Sequence, residues 1–216
     1  MSTTEIPIEE KAKYKKRVCK EDRREQILLI ASQIFSENGF NGTTTKEIAE
    51  QVGVSEAIIF RHFPSKQELY SAILDNKTTE LMQPLWLKCE ELMSKKDDRE
   101  VFVTLAAQIL EIIHTDPTLL RLIFYSALEK HQLAKEFLET TARQVREPAV
   151  IYIKQRVADG AFRPLDPIMA ARFFFSLVMQ WGIGRDLFQE SDRQMVSSWE
   201  AAEQITDIFL SGVSKK

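Results

Sequence analysis

Apolar residues recur along this chain at intervals of three and four, the spacing of helices that bury one face, and few β-branched runs alternate as a strand would. Ile27, Ala31, Ile34 and Phe35 predict a first helix over 22–38, ended by Asn38-Gly39 with Phe40 folded back on its last turn. Ile48, Ala49 and Val52 give a short second helix its buried side, with Thr44 and Glu47 as a capping box. Gly53 can take the left-handed turn, Val54 plugs the corner, and Ser55 can cap a third helix through its hydroxyl. In that helix Ile58 or Ile59 points inward together with Phe63.

A fourth helix opens at Ser65 with Glu68 completing a capping box, and runs through Tyr70, Ile73 and Leu74 until Pro84 kinks or ends it. Asp97 and Glu100 start a segment over 99–114 lined by Phe102, Leu105, Ile109, Ile112 and Ile113. Asp116-Pro117 and Asp166-Pro167 are cap-and-proline starts for helices through Leu128 and Leu187. Between them a long helix over 133–158 is expected to bend at Pro148 and stop at Gly160, and Ser197 with Glu200 caps a last helix ending near Gly212. The expectation is an all-α protein of about nine helices, with a three-helix N-terminal domain carrying a helix-turn-helix and a larger C-terminal helical bundle.

Composition narrows this picture. The chain is 44% hydrophobic and 28% charged, enough apolar content for a packed core. No apolar run approaches the ~18 residues that span a bilayer, and the first residues lack the basic start and apolar core of a secretory signal. Two cysteines make neither a disulfide framework nor a spaced metal site. A cytoplasmic protein with no membrane partner is expected. The net charge of −3 hides a local excess: Lys11, Lys13, Lys15, Lys16, Arg17, Lys20, Arg23 and Arg24 face only Glu21 and Asp22. Residues 1–20 therefore read as an unpacked basic arm, which either contacts DNA or is a solvated tail.

Small Ala49, turn Gly53, cap Ser55 and the apolar plugs occur together in the order of a helix-turn-helix whose second helix enters the major groove. Followed by Phe-Arg-His-Phe-Pro-Ser-Lys, this stretch resembles the tetracycline-repressor family of bacterial regulators. Phe35, Gly39, Thr45, Ile48, Ala49, Gly53, Val54, Ser55, His62, Phe63, Lys66 and Leu69 carry the resemblance, over roughly the first third of the chain. Thr45, Ser55, His62 and Lys66 are the expected phosphate contacts, with Lys46 beside them; Glu56, Ala57, Ile58 and Arg61 are the expected base readers. The family commonly carries Gly-Thr-aliphatic-Tyr where this chain has Ala57, Ile58, Ile59 and Phe60. That departure removes two hydroxyls and shifts reading toward apolar contact and DNA shape. The division implied is an arm over 1–20, a DNA-binding domain over 21–65, and a ligand-binding and dimerisation domain over 66–216.

The bundle after Lys66 is larger than a DNA module needs. Phe173, Phe174 and Phe175 cannot share one helix face, since neighbours are ~100° apart. Phe173, Phe175, Phe188, Trp199, Ile205 and Phe209 are the candidate dimer contacts, and the resemblance implies a two-fold dimer through a four-helix interface. Trp86, Phe102, Phe124, Tyr125, Tyr152, Gln180 and Trp181 are the candidate ligand-pocket residues, suited to a hydrophobic or aromatic effector. His114 reads better as a helix-end residue. His62, His114 and His131 stand in unrelated places, with no nucleophile–base spacing, metal motif or glycine-rich phosphate loop, so neither an enzyme nor a cofactor is expected. Two functions follow. One is a homodimeric repressor on a palindromic duplex operator, released by a small molecule. The other is an all-α ligand-binding or interaction protein that has lost DNA affinity.

Overall fold

The computed structural model describes residues 8–129 and 132–215. Every regular element among them is helical: α1 Ile8–Asn38, α2 Thr45–Val52, α3 Glu56–His62, α4 Lys66–Lys95, α5 Asp98–Thr115, α6 Thr118–Leu128, α7 Gln132–Glu139, α8 Thr141–Ala158, α9 Pro167–Gly182, a π-helical turn Ile183–Leu187, α10 Ser191–Gln194 and α11 Ser198–Val213. The chain is thus all-α, with a helix-turn-helix at α2–α3 and a larger helical bundle behind it.

The local signals set the helix starts, though not every expected cap closes: at α4 the Ser65 hydroxyl accepts from the Glu68 N–H at 3.1 Å as half of a capping box. The Thr44 hydroxyl accepts from the Glu47 N–H at 3.1 Å, although the Glu47 carboxylate faces Asn38 Nδ2 at 3.4 Å instead of closing the box. Gly53 ends α2 at φ 75° and ψ 37°, a conformation that carries a strain penalty for residues with a Cβ. Asp166 caps α9 through the Ile168 and Met169 amides, and Ser197 with Glu200 forms a reciprocal capping box at α11. Ser55 occupies the N-cap position of α3, but its side chain makes no cap bond, so its hydroxyl is left facing outward.

Other boundaries differ from expectation. The backbone of residues 8–20 continues α1, because Lys, Glu, Arg and Ala are good helix formers. Residues 1–7, and the side chains of the basic cluster up to Lys20, lie outside the described part, as does His131. Pro84 does not end α4: Thr78 on one side and Leu85 and Cys89 on the other are buried, and this packing holds the helix across the missing donor. The expected long helix is two, broken at Thr140 (φ −108°, ψ −84°), whose hydroxyl takes the Glu136 carbonyl at 2.6 Å; Pro148 stays inside α8.

Two cores result. The smaller joins α1–α3 to the start of α4 through Phe35, Phe40, Ile48, Ile59, Phe63 and Tyr70, with the Phe35 and Tyr70 rings edge-on at 5.0 Å. The larger fills the space among α4, α5, α8, α9 and α11. Burial pushes the Cys89 thiol up to about 11, which leaves it inert.

Candidate functional site

The outward edge of the helix-turn-helix collects the residues expected to meet DNA. Ser55, just before α3, and Glu56, Ala57 and Arg61 on it are exposed, Ile58 is half-buried, and Ile59 is the aliphatic that turns inward. Phe60 is 43% exposed on the same helix, an apolar surface where a polar residue would be expected. Thr45, at the first turn of α2, donates its hydroxyl to the Glu56 carboxylate. A phosphate contact by Thr45 therefore has to displace Glu56. Lys46 extends into solvent, 3.9 Å from Glu50. His62 closes α3, half-buried, with its ring beside Phe63. Lys66 lies over the Phe40 ring at 4.3 Å, a cation–π contact that holds the ammonium at the start of α4. Burial lowers its pKa, and the nearby Glu129 charge opposes that shift.

Glu129 was not singled out from the sequence. Its carboxylate accepts from the Phe40 amide at 3.1 Å and from the Asn41 amide at 3.2 Å, capping the turn after α1 from the far end of α6. Gly39 makes room for it: a Cβ at Gly39 would lie 2.6 Å from Glu129 Oε1. Beside it Tyr125 donates to the Glu37 carbonyl at 3.1 Å, and Tyr70 donates to the Leu122 carbonyl at 2.6 Å. Helix α6 is thus tied to the helix-turn-helix unit by Tyr125 and Glu129, which bond groups 88 and 89 residues away in sequence, a link that local pattern cannot reveal. Glu129→Ala should cost about 1–2 kcal/mol, the loss of charge-assisted bonds to backbone donors. Hydrogen exchange checks it: the Phe40 and Asn41 amides should exchange faster than in the parent, and unchanged protection there would refute the capping role.

The other face of α6 lines an apolar cavity of about 230 Å³, walled by Ile109, Ile113, Leu119, Leu120, Ile123, Phe124, Phe137, Phe175 and Met179. Of the expected pocket residues, Phe124 lies on this wall. Phe102 belongs to the larger core instead, fully buried against Phe174 and Phe209 with ring centroids at 4.9 Å. The Tyr152 hydroxyl donates to Asp98 at 2.6 Å, in a network that Arg156 completes, and Tyr125 serves the α1 contact just described. Gln180 is exposed, and Trp181 lies under Arg193 at 5.3 Å. Trp86 borders a shallow groove on α4. Among the polar groups on these aromatic rings, the Tyr125 and Tyr152 hydroxyls have partners in the protein itself, whereas the indole N–H groups of Trp86 and Trp181 are buried without one among the described residues.

The dimer candidates divide by helix face. Phe173, Phe188 and Trp199 are 60%, 65% and 44% exposed, alongside exposed Leu177 and Ile208. Phe175 lines the cavity, and Ile205 and Phe209 are buried in the larger core, because their helix phase turns them toward α5. These three are corrected to intramolecular positions. Of the phenylalanine triplet, Phe173 is the one left outside.

No helix of the described residues is long and apolar enough to cross a membrane, and among them no cluster of His, Cys, Asp and Glu is arranged to hold a metal. Comparison with known proteins places this geometry. The family model of bacterial regulatory proteins of the tetR family matches residues 27–73, and that of the AefR-like transcriptional repressor C-terminal domain matches residues 100–212. The HTH-type transcriptional activator FasR of Mycolicibacterium smegmatis is 32% identical over 108 residues, 50% of this chain and 48% of that protein, so the chain spans about half the length of that relative. The nucleoid occlusion factor SlmA of Vibrio atlanticus is 31% identical over 157 residues, covering 71% of this chain and 79% of that one. A crystal structure described as a tetR-family transcriptional regulator from Mesorhizobium loti superposes with a TM-score of 0.73, at 18% identity, over 91% of this chain and 98% of the other; at that identity it speaks for the fold. With both halves matched and the helix-turn-helix in place, the chain belongs to the tetR family of bacterial transcriptional regulators.

Proposed function

We propose that the chain is a homodimeric, effector-responsive repressor that binds a palindromic operator in the cytoplasm. In this reading residues 21–65 are the DNA-binding unit, with Ser55, His62, Lys46 and Lys66 on phosphates, Thr45 joining them once Glu56 is displaced, and Glu56, Ala57, Ile58 and Arg61 at base edges. Residues 66–216 bind the effector and pair two copies through the exposed apolar face of α9 and α11. One observation carries the reading: α6 presents Phe124 to an apolar cavity on one side and Tyr125 and Glu129 to the DNA-binding unit on the other. An effector entering the cavity shifts α6, and with it the angle at which α3 is presented. Coupling is reciprocal, so operator DNA weakens effector binding by the same factor.

Selection of duplexes from a random pool tests this. The parent protein should enrich a two-fold symmetric sequence, and Arg61→Ala with Lys66→Ala should bind it about 10–100-fold more weakly, with a shallower salt dependence as the Lys66 phosphate contact is lost. A second reading, an all-α ligand-binding or interaction protein without DNA affinity, is favoured by the Thr45–Glu56 contact, which occupies one expected phosphate ligand with a carboxylate. No enrichment at low salt would establish it in place of the first.

A further inference from the structure

The apolar cavity has a charged rim. Arg146, on α8, is half-buried on its wall, and it also borders the adjoining open groove together with Arg143 and Arg172. Among the described residues none of these three arginines has a carboxylate within 4.0 Å. Of the acidic groups on the two linings, Asp116 on the cavity wall is held by Lys77 at 2.5 Å and by the Thr118 amide at 3.0 Å, and Glu139, at the exposed edge of the groove, lies 3.9 Å from Lys135. Burial, and then the like charge of Arg172, push the Arg146 guanidinium below its ordinary pKa. A partly desolvated cation beside a second cation is costly unless an anion is meant to join them.

We propose that the cavity and this rim form one site for an amphipathic anion, with an apolar body inside and a carboxylate or phosphate on Arg146 and Arg172. The proposal rests on the reading of the cavity as the effector site and names the class of effector. The dimensions agree with it. At about 230 Å³ the cavity falls below the ~300–1,000 Å³ usual for a whole small-molecule ligand. It can take the apolar part while the head stays in the groove outside. A planar guanidinium fork matches either oxyanion through two parallel hydrogen bonds, which a lone ammonium could not do.

Calorimetric titration of the full chain with decanoate, decyl phosphate and decanol tests the proposal, because the three share one tail and differ in the head. At least one anion should bind tenfold or more tightly than decanol, and whichever binds better identifies the head. Arg172→Gln, at an exposed position that should not disturb folding, should lower affinity for that anion about tenfold and leave decanol unchanged; Arg146→Gln should do the same. Decanol binding as tightly as both anions would overturn the amphipathic-anion site while leaving an apolar effector cavity in place. Binding of none of the three would overturn it together with the cavity's effector role, while operator selection still decides DNA binding separately.

Discussion

Phe102→Ala should lower the unfolding free energy by about 3–5 kcal/mol, the usual cost of removing a fully buried aromatic ring from a core that cannot collapse around the gap. Phe102 is 0% exposed and is ringed by Phe174 and Phe209 at 4.9 Å, Tyr152 at 6.2 Å and Phe162 at 6.5 Å. These residues come from α5, α8, α9, α11 and the loop before α9, so the ring is where four helices and a loop meet. In a chain of this length each kcal/mol moves the melting midpoint by about 2–4 °C, which puts the expected drop near 6–20 °C. Urea unfolding checks the cause, since the midpoint should fall with little change in slope. Were Phe102 a pocket residue, truncation would instead change effector affinity and leave stability nearly intact; a loss under about 1 kcal/mol would restore that role.

The contrast between Phe102 and Phe124 shows what the sequence could and could not reveal. Both are aromatics at helical spacing, and nothing within their own helices separates a ring packed on other rings from one facing a void. That difference depends on which helices arrive opposite, α9 and α11 for one, α8 and α9 for the other. The DNA-binding unit was legible because its signals are local: a cap at Thr44, a left-handed residue at Gly53, apolar plugs within a few positions of each other. The exposed face of α9 was half legible. A triplet of phenylalanines requires one ring outside, yet only packing selects Phe173 over Phe175. Arg146 was missed because, three residues after Arg143 and next to Glu147, it reads as an ordinary solvated charge run. Its meaning comes from Arg172 on another helix. The partners of Tyr125 and Tyr152 were hidden for the same reason, since the oxygens that accept their hydroxyls lie 88 and 54 residues away.

Arg185→Met should be as damaging as the Phe102 truncation, at about 3–5 kcal/mol, but through charge rather than volume. Arg185 sits in the π-helical turn and is 4% exposed. Its guanidinium donates to Asp186 at 2.9 Å, to the Ser198 hydroxyl at 3.0 Å and to the Leu110 carbonyl at 2.7 Å, tying the turn to the start of α11 and the body of α5. Ser198 passes the connection on to Glu111 at 2.8 Å. Methionine fills similar space but donates nothing, so the Ser198 hydroxyl and the Leu110 carbonyl, which lies within α5, each lose a donor, and the Asp186 side chain, itself only 9% exposed, loses its arginine and, among the described residues, keeps only His114 at 2.8 Å. Most of the loss is thus the cost of a buried carboxylate left without its cation. A double-mutant cycle separates that from lost packing: adding Asp186→Asn should recover part of the stability, so the pair costs less than the sum of the single changes. The proposed dimer face gives a second readout. Phe188 follows the turn directly and Trp199 follows Ser198, so loosening the network should displace both and weaken self-association in sedimentation. A loss below about 1 kcal/mol with an unaltered sedimentation profile would mean that Arg185 merely fills space. Additive single costs would place the loss in packing and remove the buried charge pair as its cause.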